Sequence, residues 1–276
     1  MITPEQLARV EKRAKEMRYR LVEMMGYGNT HHFGGSLSLV EITAALYFYK
    51  LRYDPANPKW PERDRFVMSK GHSVPTQYVA LAMAGILPME VLPTLKTMGS
   101  ILQGHPNAWM TPGIEACTGS LGQGLSFANG VALMARLLNK DIRVYVALGD
   151  GELNEGQVWE AAMTSATRGL DNLVAIVDNN TLKCQGRTAE AKRLEPLADK
   201  WTAFGWRTLS IDGHNVGEVC RALDEAETVK GKPTVIVART VKGKGVSALE
   251  DRYESHNTAL SQTQWRTAMT EVAWEA

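Results

Sequence analysis

Residues 142–180 read IRVYVALGDGELNEGQVWEAAMTSATRGLDNLVAIVDNN, and this stretch decides the fold. Two runs, 142–149 and 172–179, are apolar almost throughout, as strands of a parallel sheet covered on both faces are. Between them Trp159, Ala162, Met163 and Ala166 recur at helical spacing, which predicts a crossover helix over 154–167 with those four side chains inward. A strand, a helix and a parallel strand form a right-handed unit, and ligands of such sheets gather outside the carboxyl ends of the strands. Asp150 and Asn180 then share one crevice. A carboxylate, a side-chain amide oxygen and a nearby main-chain carbonyl are hard ligands of the kind Mg²⁺ or Ca²⁺ takes while keeping positions open for phosphate oxygens. The carboxylate between Gly149 and Gly151 is therefore read as holding a cation that in turn holds a diphosphate, which the glycine N–H groups also approach. For G-D-G alone, a turn aspartate beside a helix N-terminus is the competing reading.

The same alternation extends outward. Further strands are expected at 65–69, 207–211 and 233–241, with helices between them. This predicts an α/β fold, a doubly wound and mostly parallel sheet with helices on both faces. No internal repeat or low-complexity linker interrupts it, so a single domain is expected over 1–276. Thr3, Pro4 and Gln6 mark the start of a helix whose Leu7, Val10, Ala14, Met17 and Leu21 face inward. That amphipathic pattern is no signal peptide. Ser38 and Glu41 have capping-box spacing ahead of a helix with Leu39, Ile42, Leu46 and Tyr49 inward. Lys plus Arg number 31 against 30 for Asp plus Glu, so no global field draws nucleic acid or an anionic membrane. The longest apolar stretch, YVALAMAGIL at 78–87, is too short to span a bilayer. Three cysteines (117, 184, 220), odd in number and in no C-x-x-C spacing, argue against a disulfide framework or structural zinc and fit a reducing cytoplasm.

GDGELNEGQVWEAA followed by NLVAIVDNNTL resembles the thiamine-diphosphate signature of the transketolase family. GGSLSLVEI, DRFVMSKGH, GHPNAW, ACTGSLGQGLSFANG and TVKGKG also resemble transketolase segments, in family order over nearly the whole chain. The resemblance implies transfer of a two-carbon ketol unit from a ketose to an aldose through thiamine diphosphate and Mg²⁺, with Ca²⁺ as an alternative metal. It implies Asp150, Asn180 and the main-chain oxygen of Leu182 as metal ligands, with Gly151 and Glu152 next to the diphosphate. Gly119 and Leu121 would touch the cofactor, Lys70 and Lys242 would stand close to it, and Glu155 and Glu160 match interface glutamates. In this family a glutamate on a second, pyrimidine-binding domain is also needed. After His256 too little chain remains for one, so it is expected on a separate C-terminal subunit, with two copies of each chain in a heterotetramer.

Six histidines show no zinc-ligand spacing. His32, His72, His105 and His256 sit in glycine-rich or loop contexts that can gather several imidazoles over the crevice. By resemblance these four hydrogen-bond diphosphate and sugar oxygens and assist proton transfer; His72 and His256 are also cofactor contacts. His214, in DGHNV, is read as a turn residue. THHFGG departs from the family's S-G-H-P-G-G by placing His31 for glycine and Phe33 for proline. Either the pair reads the substrate, or Phe33 packs beneath the loop while His31 faces solvent. Two other functions remain open: another thiamine-diphosphate carboligase, either 1-deoxyxylulose-phosphate synthase-like or acting on 2-oxo acids, and a non-catalytic regulatory subunit.

Overall fold

A computed structural model describes residues 2–275; Met1 and Ala276, the ends of the expected domain, lie outside the described residues. The strands are β1 (Arg65–Met68), β2 (Val144–Gly149), β3 (Leu173–Asn179), a hairpin of β4 (Leu182–Lys183) and β5 (Gly186–Arg187), β6 (Arg207–Asp212) and β7 (Thr234–Arg239). Among the described residues five of them form one parallel sheet in the order β1-β2-β3-β7-β6. All five lie where the apolar runs place them.

Helices cover both faces, and the strand residues alternate between two cores. Tyr145, Ala147, Val174 and Ile176 face the layer of α1 (Pro4–Met25), α2 (Phe33–Leu37), α3 (Val40–Ala45) and α4 (Val74–Met83). Val146, Leu148, Ala175 and Val177 face α5 (Gln123–Leu137), α6 (Gly156–Thr167) and, beyond the short α7 (Thr188–Ala191), α8 (Leu197–Ala203). The first layer also holds α9 (Val216–Thr228) and α10 (Gln262–Glu271). Both faces bury apolar area that contributes roughly 25 cal/mol per Å², which is why the central strands need no polar side.

Thr3 caps α1 as expected: its hydroxyl accepts the Gln6 N–H at 3.2 Å and the Gln6 side chain accepts the Thr3 N–H at 2.9 Å. The segments 28–31 and 258–260 zip together through Gly28 N–H to Leu260 O and a His31–Thr258 bridge, while Trp265 on α10 donates to Val22 O at 3.0 Å.

Two local expectations fail. Ser38 and Glu41 form no capping box: the Ser38 hydroxyl donates to Asp178 and Gly35, and Glu41 pairs with Arg18 and His214. Buried partners elsewhere in the chain outcompete the local pattern. On α6 the buried face is Val158, Ala161, Ala162 and Ser165, with Trp159 and Ala166 only partly covered and Met163 51% exposed. The helix starts at Gly156, after a 3₁₀ turn over Gly151–Asn154.

Candidate active site

The carboxyl ends of β1, β2, β3 and β7 converge on one crevice of about 490 Å³. All the expected residues line it: His32, Lys70, His72, His105, Gly119, Leu121, Asp150, Gly151, Glu152, Asn180, Leu182, Lys242 and His256. Cys184 and Gln185 of the β4–β5 hairpin add to the wall, as does Glu155, expected at an interface. His31 and Phe33 do not line it. Phe33 is fully buried in the core, and His31, 4% exposed, is held by its bridge to Thr258 rather than turned to solvent.

The floor is built around Asp178, which sequence reasoning missed. It is paired in register with Gly149 on one side and Ala238 on the other, and is wholly buried. Lys70 forms an ion pair with it, the Ser38 hydroxyl donates to it at 2.6 Å, the Asn180 amide at 3.1 Å, and the Thr240 hydroxyl completes the shell. Burial alone would raise this carboxyl; Lys70 and the hydroxyls hold it below its ordinary value. One signal was available: a charge ending an uninterrupted apolar run at 173–177 must have buried partners.

Asp150 spans the ends of β2 and β3, accepting the Gly151 N–H at 2.6 Å and the Thr181 N–H at 2.5 Å. Asn180, its amide nitrogen committed to Asp178, accepts the Leu182 N–H on its oxygen at 3.1 Å. The Leu182 carbonyl accepts from the Lys242 ammonium at 3.0 Å. Burial, with Asp178 nearby, pushes Asp150 up to about 7, and burial beside Lys70 brings Lys242 down to about 8. The buried carboxylate, amide oxygen and carbonyl fit a hard divalent cation, whose charge would offset the cost of burying Asp150.

Glu152 is 1% exposed, and its oxygens are taken by Gly122 N–H at 2.9 Å, Gly149 N–H at 3.0 Å and the Ser69 hydroxyl. It fastens the 119–122 loop onto the G-D-G turn. Gly119 has φ +140°, and a Cβ there would stand 2.6 Å from the His105 ring. Only glycine lets the loop and that imidazole meet.

The rim is four imidazoles. The His32 ring centre stands 5.1 Å from His72, 5.3 Å from His256 and 6.0 Å from His105, and His72 is 5.1 Å from His256. Burial first, then neighbouring His256, pushes His32 down to about 4; burial with Lys242 and Lys70 does the same to His256. His72 lies well below its ordinary value through burial and Lys70, and His105 is lowered by burial and Lys96. Neutral imidazoles each offer one donor and one acceptor, so the rim can bind hydroxyl and phosphate oxygens and move a proton. His214, expected in a turn, is half-buried and ties Glu41 to Val241.

The family described as "Transketolase, thiamine diphosphate binding domain" matches residues 10–276. The chain is 46% identical to 6-deoxy-6-sulfo-D-fructose transketolase subunit SqwG of Clostridium sp. (strain MSTE9), covering 98% of each protein. It is 42% identical to an apulose-4-phosphate transketolase subunit of Phocaeicola vulgatus, covering 97% of this chain and 95% of that one. Among solved structures it resembles transketolase from Campylobacter jejuni at a TM-score of 0.91 and 32% identity, covering 99% of this chain and 44% of that protein. The chain thus spans less than half the length of that transketolase.

Proposed function

The chain belongs to the transketolase family, and we propose that it is the diphosphate-binding half of a two-chain enzyme that passes a two-carbon ketol unit from a ketose to an aldose. The observation that carries this reading is the convergence of one hard-oxygen set and four clustered imidazoles in a single crevice.

Asp150, Asn180 and the Leu182 carbonyl would hold Mg²⁺, with Ca²⁺ as a substitute. Gly151, Lys70, Lys242, His72 and His256 would contact the diphosphate, with Gly119 and Leu121 beside the rest of the cofactor. Thiamine diphosphate, when bound, supplies a nucleophilic ring carbon and a sink for the electron pair released on C–C cleavage. The chain's own side chains bind and move protons. His32 and His105, uncharged at neutral pH, orient substrate hydroxyls, and an imidazole acceptor takes the hydroxyl proton next to the bond that breaks. An anionic ligand between these rings raises their affinity for that proton.

The partner is a second subunit carrying the pyrimidine-binding domain, two copies of each chain forming a heterotetramer. A partner chain, though not its composition or number, is supported by the word "subunit" in the names of relatives matched over almost their full length. Those relatives act, by name, on a sulfonated and a phosphorylated ketose; we assign this chain a donor of the same class, a ketose with a terminal anion. A cytoplasmic location suits its free cysteines, and among the described residues no helix is long and apolar enough to cross a membrane. The test is turnover by the assembled enzyme with hydroxypyruvate and with pyruvate as donor. Activity on hydroxypyruvate is expected; activity on pyruvate alone would mark a different carboligase.

A further inference from the structure

The turn 241–245 carries Lys242 into the crevice, but part of what holds it lies elsewhere. A second cavity is lined by Arg18, Glu41 and His214, none of which lines the crevice. One oxygen of Glu41 pairs with the Arg18 guanidinium, and the other meets His214 Nδ1 at 2.9 Å. A carboxylate facing Nδ1 fixes the proton there, leaving Nε2 as an acceptor. Nε2 accepts the Val241 N–H at 2.8 Å.

The same turn is held at two further points. Arg18 donates to Lys244 O at 2.6 Å and to Leu37 O at 3.1 Å, while Gly243 N–H donates to Gly34 O at 3.0 Å. Gly34 packs so closely that a Cβ would stand 2.8 Å from Lys242 Cγ. With residues 241, 243 and 244 all tied, the main chain that carries Lys242 is fixed, and its ammonium reaches Leu182 O and comes near His256 Nδ1.

We infer that His214 is a positioning residue: the Arg18–Glu41–His214 relay sets where Lys242 meets the diphosphate. This rests on the reading of the crevice as the diphosphate site. The two sides of the imidazole can be tested separately. In His214→Gln the amide oxygen reaches as far as Nε2 and can accept the Val241 N–H; in His214→Asn the shorter amide keeps only the Glu41 side.

The experiment is calorimetric titration of the assembled enzyme with thiamine diphosphate at saturating Mg²⁺, with urea unfolding of each variant and Asp150→Ala alongside. His214→Asn is expected to bind roughly tenfold more weakly, a change equal to about 1.4 kcal/mol, and His214→Gln within about twofold of the parent. Equal affinities for Asn and Gln, whether both kept or both weakened, overturn the inference. If Asp150→Ala loses binding in that case, the crevice reading stands and only the relay fails. If Asp150→Ala also binds like the parent, the crevice reading falls first and the relay with it.

Discussion

The floor and the rim of the crevice are built on opposite plans. At the floor every charge is answered by protein: Asp178 and Lys70 are 0% and 2% exposed, and Ser38, Asn180 and Thr240 fill the remaining acceptor positions. At the rim, among the described residues, none hydrogen-bonds a ring nitrogen of His32, His72 or His105, and burial keeps all three short of protons. A closed network of buried charge fixes geometry, because removing one member strands another. Uncommitted imidazoles fix little and leave their nitrogens for ligand. On the proposed reading, stability and chemistry fall to different layers of one site.

Substitutions should separate the layers. His32→Ala should lower kcat/KM by about 10² to 10⁴-fold while the urea midpoint barely moves; a large loss of stability with it would erase the distinction. Asp178→Ala should behave in the reverse sense, costing about 3–5 kcal/mol in urea unfolding because the Lys70 ammonium is left buried and unpaired. An unfolding free energy unchanged in that variant would show that the floor has no structural role. Between the layers, Asp150→Ala should weaken thiamine-diphosphate binding by at least about 100-fold, equal to about 2.7 kcal/mol. Calorimetry on the assembled enzyme reads this directly.

The smallest effect is in pH. His32 and His256 have folded values near 4 against an ordinary 6.5, so between those values the unfolded chain binds more protons and stability falls as pH falls. Asp150, raised to about 7, opposes this, gaining stability as pH falls through the same window. In the cofactor-free chain, His32→Gln/His256→Gln should shrink the stability lost between pH 7 and pH 5 by about 1–2 kcal/mol, discounted for the partial exposure of both rings. An unchanged pH slope would mean that the rim is not held neutral by burial.

Much of this was legible in sequence because it rests on local signals. Runs such as 144–149 and 173–177 have only one way to bury both faces, and strand ends in a parallel sheet must share an edge. That is how Asp150 and Asn180 could be placed together. What stayed hidden depends on distant partners. The donors to Asp178 come from residues 38, 70, 180 and 240, and no periodicity links those positions. Ser38 and Glu41 misled for the same reason: their spacing suits a cap, but Asp178 and Arg18 offer buried oxygens and cations that a helix end cannot match. Met163 misled because a helical stripe read one residue out of phase still looks apolar.

The zip between segments 28–31 and 258–260 also imposes an order of events during synthesis. His256 stands only two residues before the Thr258 bridge to His31, so it reaches its place beside His32 after more than two hundred intervening residues have left the ribosome. The strands that frame Asp178 end by residue 239 and are synthesised before it. A released chain ending near residue 250 would therefore keep the strands of the base and three of the four imidazoles, and lack only His256.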